Sequence, residues 1–337
     1  MKILVTGTAG FIGFHLSNRL LNDGHEVIGA DSINDYYDLN LKYDRLGYAG
    51  IEKKEISYGQ PVASKKFDSY IFYQAKLEDK NLLDQIFTKE SPEIVINLAA
   101  QAGVRHSLEN PGAYISSNVN GFMNVLECCH RFNIKHLVYA STSSVYGLNE
   151  EIPFSTLQNT DRPISIYAAS KKCNELMAHA YSYLFKLPAT SLRFFSVYGP
   201  WGRPDMALFI FTKAMFANKP IQLFNYGNML RDFTYIDDIV ESIIRIMPKT
   251  PQTTVPFKIY NIGNNAPVKL SEFVEAIETE LGIQAQKELL PLQPGDVPVT
   301  YADMDDFVRD IGYKPSTLVK DGVKKFIEWY KWYYKSS

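Results

Sequence analysis

Short apolar runs alternate with longer amphipathic stretches over the first two hundred positions of the chain. Residues 3–6, 26–31, 71–74, 94–98 and 136–141 read as strands, each four to eight apolar-rich positions bounded by turn or polar residues. Between them, 11–23, 82–89 and 114–132 repeat apolar positions at helical spacing, and a long helix follows at 166–185 before another strand at 189–195. Strands that alternate with helices predict an α/β fold built on a doubly wound parallel sheet. The stretch 34–69 breaks the rhythm. It is rich in Tyr, Lys, Asp and Gly, and it is longer than a structureless connection should be. It reads as an insertion with helix around 39–46, or else as a partly mobile surface loop.

Beyond 195 the prolines thicken, at 200, 204, 220, 248, 251, 256 and 267, and the chain closes on an aromatic helix over 318–334. The division expected is therefore a dinucleotide-binding domain over 1–195 and a smaller α/β domain, mainly for substrate, over 196–337, with a crossover back to the first.

Composition narrows the function without naming it. Hydrophobic residues make up 46% and charged residues 21% of 337 positions, and the net charge is −2. No overall field favours nucleic acid or an anionic membrane. No apolar run reaches the roughly 20 residues that a spanning helix needs. Met1 to Val5 leads into a glycine turn without the apolar segment of a signal peptide, so a cytoplasmic protein with no membrane partner is expected. Cys128, Cys129 and Cys173 form neither a disulfide framework nor a metal-ligand pattern and read as reduced core thiols.

Chemistry enters at the first strand–helix junction. Gly7-Thr8-Ala9-Gly10-Phe11-Ile12-Gly13 stands where the chain must turn sharply and bring bare N–H groups up to a pyrophosphate. Gly7 and Gly10 omit the Cβ that would block the approach, and Gly13 lets the helix close on the sheet. Asp31, ending the second strand, suits a ribose hydroxyl and repels a 2′-phosphate, which favours NAD over NADP. A tight turn without ligand and a turn-forming Asp are the plainer alternatives.

Tyr167 and Lys171 lie four apart on the long helix and so share one face. A lysine cation at ~4 Å and an effective dielectric of about 20 favours a phenolate by about 4 kcal/mol, bringing a phenol of pKa about 10 towards general-base range. Upstream, Ser141-Thr142-Ser143-Ser144 ends the fifth strand, at the sheet edge where ligands bind in folds of this kind.

Together these segments resemble the extended short-chain dehydrogenase/reductases, with a Rossmann-type sheet. The resemblance continues through Asn97-Leu98-Ala99-Ala100, Asn118-Val119-Asn120-Gly121 and Arg231-Asp232-Phe233-Thr234-Tyr235. It implies Thr142, Tyr167 and Lys171 as the catalytic set. For NAD it implies Gly7, Gly10, Phe11, Ile12, Gly13, Asp31, Asn34, Leu98, Ala99, Ala100 and Asn118, along with Tyr167 and Lys171. Relatives that dehydrate follow the threonine with Asp-Glu, and decarboxylating relatives carry a Glu there; Ser143 and Ser144 bring no carboxylate and point to epimerisation at sugar C4.

The run Arg193 to Ala207 is similar to that of UDP-glucuronate 4-epimerases, as are Asn34 to Asp38 and Gln101 to Arg105. By that resemblance Ser196 and Arg203 face a uronate carboxylate, Arg231 and Asp296 lie near the diphosphate and the uridine ribose, and Arg105, Thr142 and Ser143 join the substrate set. Conversion of UDP-glucuronate to UDP-galacturonate is the expectation. A 4-epimerase for UDP-glucose or UDP-N-acetylglucosamine is the alternative, then a dehydratase or decarboxylase, then a catalytically idle NAD-sensing scaffold. A homodimer and a role in polysaccharide precursor synthesis are implied by resemblance alone. One departure stands out. Lys76 occupies the place of an Asp that touches adenine in relatives, and a lysine cannot accept that hydrogen bond.

Overall fold

The computed structural model describes residues 1–335. Its centre is an eight-stranded sheet made of β1 (Lys2–Thr6), β2 (Glu26–Asp31), β3 (Pro61–Ala63), β4 (Tyr70–Gln74), β5 (Ile94–Asn97), β6 (His136–Thr142), β7 (Ala189–Phe194) and β8 (Phe257–Ile262). The spatial order is β8-β7-β6-β5-β1-β2-β4-β3. All pairings are parallel except the short β3–β4 pair at the edge. The expected doubly wound sheet is present, and it contains a strand, β8, from well beyond position 195.

Alternation along the strands divides the core between the two faces. Ile3 and Val5 of β1 enter one apolar cluster, and Leu4, between them, enters the other. Helices α1 (Phe11–Asn22) and α9 (Val319–Tyr334) contribute to the first cluster; α3 (Lys80–Glu90) and α4 (Gly121–Arg131) contribute to the second. Cys128 and Cys129 are buried in that second cluster, and Cys173 is half-buried.

The insertion contains the expected helix, α2 (Leu39–Tyr48), whose first turn is capped by the Asp38 carboxylate accepting from Asn40 N at 2.9 Å. The single helix expected over 114–132 has a different form. A short turn at Pro111–Tyr114 runs into a π-helical segment, Ile115–Asn120, and only then into α4. The Asn174 side chain takes the Asn118 carbonyl at 2.6 Å, an intrusion of the kind that widens a helical ladder.

Helix α5 (Ile166–Phe185) follows β6, α6 (Ala207–Phe216) and α7 (Ile236–Ile246) follow β7, and α8 (Leu270–Leu281) follows β8. Two-stranded pairings, such as Ser196–Tyr198 with Phe233–Tyr235, build the region beyond the carboxyl ends of the large sheet. No helix of the described residues is long and apolar enough to cross a membrane.

Candidate active site

A cavity of about 1200 Å³ opens beyond the carboxyl ends of β1, β2, β5, β6 and β7. That is where the strand order reverses around β1, and where an open α/β sheet binds ligands. The glycine turn forms one end. Gly10 N donates to the Gly7 carbonyl at 2.9 Å. A Cβ on Gly13 would fall 2.0 Å from that same oxygen, and one on Gly7, at φ +80°, would fall 2.9 Å from Ala99 N. Gly10 caps α1 without a side-chain acceptor, so the first-turn N–H groups around Phe11 and Ile12 are left for an anion. This cradle fits the pyrophosphate of a dinucleotide.

Asp31 ends β2 with its carboxylate accepting from Ala9 N at 3.0 Å and Ile33 N at 2.8 Å. Two backbone donors thus fix it at the cavity edge, with lone pairs to spare for a ribose. Asn34 lines the cavity close by. The Lys42 ammonium donates to both its main-chain and side-chain oxygens. Leu98, Ala99 and Ala100 form the wall after β5, held by the Ala99 N–H donating to Thr6 Oγ1 at 3.1 Å. Lys76 also reaches the wall, beside Leu77 and Glu78.

Asn118 stands apart from the other expected residues. Its amide oxygen accepts from Gln101 N, and its nitrogen donates to Gln101 O and Ser170 Oγ, at 2.8–3.0 Å. It is 2% exposed and does not line the cavity. Its side chain braces the wall from behind.

The catalytic candidates converge on the same space. Ser165 caps α5 by accepting from Ala168 N at 3.1 Å, so Tyr167 stands in the first turn and Lys171 one turn on. Both line the cavity with Thr142 and Ser143, which end β6 and begin the next turn. Thr142 Oγ1 donates to Ser144 Oγ at 3.2 Å and accepts from Ser144 N at 3.1 Å, with the Tyr167 phenol nearby. Among the described residues the Lys171 ammonium has no hydrogen-bond partner, and burial pushes its pKa down to about 8, opposed by the charge of Glu175.

The electrostatics differ from the sequence expectation in one respect. Burial raises the Tyr167 phenol above its ordinary value, and the opposing influences are the Arg203 charge and the nearby Thr142 hydroxyl, not Lys171. Desolvation outweighs the cationic neighbour because both groups lie out of water. Behind this pair, Glu175 accepts two bonds of 2.8 Å from Arg193 and one of 2.8 Å from Ser141, tying α5 to β6 and β7.

The far end of the cavity is built by the chain after β7. Ser196 and Arg203 line it together. Arg203 Nε and Nη2 grip Asp205 at 3.0 and 2.5 Å, and the Tyr36 hydroxyl donates to the same carboxylate at 3.0 Å. Arg231 and Asp296 also line the cavity, joined by an ion pair of 2.9 Å. Arg105 lines it with its guanidinium over the Phe224 ring. The structure therefore brings every expected site residue except Asn118 to one cavity.

It adds three lining residues that the sequence did not single out, Tyr36, Lys42 and Asp205, and outside the lining one buried residue, Arg45. Tyr36 and Asp205 fall inside runs already conspicuous by resemblance. Lys42 and Arg45 had no signal, since charged residues in a polar insertion read as solvent-facing.

Residues 3–263 match the model of the NAD dependent epimerase/dehydratase family. The chain belongs to this family. With that membership come NAD as cofactor and nucleotide-sugar 4-epimerase as the class of enzyme. This family member is 56% identical to Protein CapI of Staphylococcus aureus, over 99% of this chain and 100% of that one. It is 46% identical to the probable UDP-glucuronate 4-epimerase of Rhizobium meliloti strain 1021, over 99% and 98% of the two chains. The crystal structure of UDP-glucuronic acid 4-epimerase from Bacillus cereus, in complex with UDP-glucuronic acid and NAD, matches at a TM-score of 0.87. Its identity is 30%, with 99% of this chain and 100% of that chain covered.

Proposed function

We propose that this enzyme interconverts UDP-glucuronate and UDP-galacturonate by inverting C4 of the sugar. The observation that carries the reading is Arg203, a guanidinium in the wall of the catalytic cavity whose charge reaches the Tyr167 phenol. A planar fork at that position suits a carboxylate on the sugar. The relatives named for UDP-glucuronate support the same choice.

Bound NAD would supply reversible hydride acceptance at C4. The chain's own residues handle the proton and the pose. Tyr167 removes the O4 proton as C4 is oxidised and returns it after the sugar presents its other face, with Thr142 sharing the hydrogen bond. Lys171 supplies positive charge beside the cofactor and the phenolate. Arg203 and Ser196 hold the carboxylate, while Arg105, Arg231, Asp296 and Ser143 take the rest of the nucleotide sugar. Phe11, Ile12, the three glycines, Asp31, Asn34 and the wall at 98–100 hold the dinucleotide.

The carboxylate also explains why an arginine is needed. A 4-keto uronate is a β-keto acid and loses CO₂ readily. An ionised carboxylate held in the plane of Arg203 is restrained from doing so. With Ser143 and Ser144 beside Thr142, no carboxylic acid follows the threonine to divert the keto sugar by dehydration.

Residues 196–337 would serve mainly as the substrate domain, and the enzyme would work in the cytoplasm on precursors of surface polysaccharide. A homodimer would use α4 and α5, where Leu176, Tyr183 and Leu184 are exposed. A neutral-hexose 4-epimerase is the second reading, and Arg203 disfavours it. Assaying Arg203→Ala with UDP-glucuronate tests the choice. Loss of uronate turnover, or a shift of product towards pentose, supports it; unchanged turnover and product ratio oppose it.

A further inference from the structure

Arg45 belongs to the insertion, yet it is fully buried, at 0% exposure. Its Nη1 donates to the Ala9 carbonyl at 2.8 Å and to the Tyr37 hydroxyl at 2.7 Å. Its Nη2 donates to the Trp201 carbonyl at 2.6 Å and to the Gly202 carbonyl at 3.2 Å. Ala9 lies in the glycine turn of the dinucleotide end; Trp201 and Gly202 immediately precede Arg203. One guanidinium therefore joins the two ends of the cavity through main-chain oxygens.

A second link runs parallel to it. His15, on α1 just after the glycine turn, has its Nε2 2.9 Å from the Pro200 carbonyl oxygen. The loop is otherwise in a conformation that needs holding: Trp201 has φ +58°, in the left-handed region that a bulky residue rarely adopts. A lysine could not replace Arg45, because its single nitrogen cannot span acceptors on both sides.

We infer that Arg45 is a positioning residue, one that sets Arg203, and with it the uronate carboxylate, against the dinucleotide turn. The inference rests on the reading of Arg203 as the carboxylate's partner. Its chemistry is geometric. Inversion at C4 needs the sugar held at one distance from the hydride acceptor on both of its faces, and a shift of about 1 Å can cost about 100-fold in rate.

The test uses the full-length enzyme with its NAD, as Arg45→Lys and as Gly202→Ala. The second variant disturbs the acceptor end without removing a buried charge, since its Cβ would lie 2.9 Å from the Gly199 carbonyl oxygen. For each, the KM and kcat for UDP-glucuronate are measured beside the inhibition constant of UDP-xylose, which lacks the carboxylate, and the NAD content. The expected result is a kcat/KM for UDP-glucuronate lowered about 10- to 100-fold, UDP-xylose inhibition and NAD content little changed, and more pentose product. Equal weakening of both ligands, or no change in either, overturns the inference. Absence of UDP-glucuronate turnover by the unmodified enzyme would instead overturn the substrate reading beneath it. If Arg45→Lys does not fold, Gly202→Ala decides alone by the same ratio.

Discussion

Asp205 occupies one edge of the Arg203 fork, with Nε at 3.0 Å from one carboxylate oxygen and Nη2 at 2.5 Å from the other. The Tyr36 hydroxyl donates to the same oxygen that Nη2 holds. The arginine is thus oriented by the chain itself, and the donors on its Nη1 side remain for a ligand. A hydrogen bond to a charged group contributes about 1.5–3 kcal/mol. Asp205→Asn should accordingly lower kcat/KM for UDP-glucuronate by about tenfold or more, less than Arg203→Ala does. Initial rates of the two variants check this, and Asp205→Asn at full activity would leave the carboxylate without a role in the site.

Tyr167→Phe removes the hydroxyl in the cavity wall near Thr142 but little volume. General acid–base groups contribute about 10²- to 10⁴-fold, so kcat should fall within that range while UDP-sugar binding by calorimetry is kept. Full activity in Tyr167→Phe would remove the phenol from the mechanism.

Lys171 links activity to stability. Its pKa falls from an ordinary 10.5 to about 8 because it is buried. Between those values the unfolded chain holds a proton that the folded chain has released, so stability rises with pH across that window. Below about pH 8 the buried charge is a cost at every pH. Lys171→Met should therefore be inactive yet more stable at pH 7, by roughly 1–3 kcal/mol. That advantage should shrink as pH rises from 8 to 10.5. Thermal melts of both proteins over this range decide it; a constant or growing difference contradicts the burial account.

At the dinucleotide end, Gly13→Ala would set a Cβ 2.0 Å from the Gly7 carbonyl oxygen. Backbone, not a flexible side chain, must then move, and overpacking of this kind costs about 1–3 kcal/mol or more. The variant should purify with little NAD, measured by absorbance after denaturation. Gly24→Ala is the control for a glycine outside the site, although its φ of +81° will cost some stability. Equal NAD content in the two variants would detach Gly13 from the cofactor.

The parts of this site that were legible in the sequence are those built from local signals. The glycine turn, the Ser-Thr strand end and the Tyr167/Lys171 spacing each depend on residues within a few positions of one another, and each was found where expected. Asp205, Tyr36 and Arg45 were not legible for the opposite reason. Tyr36 meets Asp205 across 169 positions, and Arg45 meets Trp201 across 156. A polar residue in an insertion carries no periodic sign that its partners are buried carbonyls. Asn118 lies behind the wall, because its amide is taken up by Gln101 and Ser170, partners 17 and 52 positions away. Charge attraction between Lys171 and Tyr167 is legible from their spacing, whereas the burial that acts on both groups is not.

The central claim concerns the chemistry at C4 of a uronate. The purified enzyme is incubated with UDP-glucuronate, and the nucleotide sugars are separated and their C4 configuration read by proton NMR. Formation of UDP-galacturonate towards a stable mixture, with little pentose, no unsaturated sugar, and UDP-glucose turned over far more slowly, is the predicted result. Faster inversion of UDP-glucose, or loss of CO₂ or water as the main outcome, would contradict it.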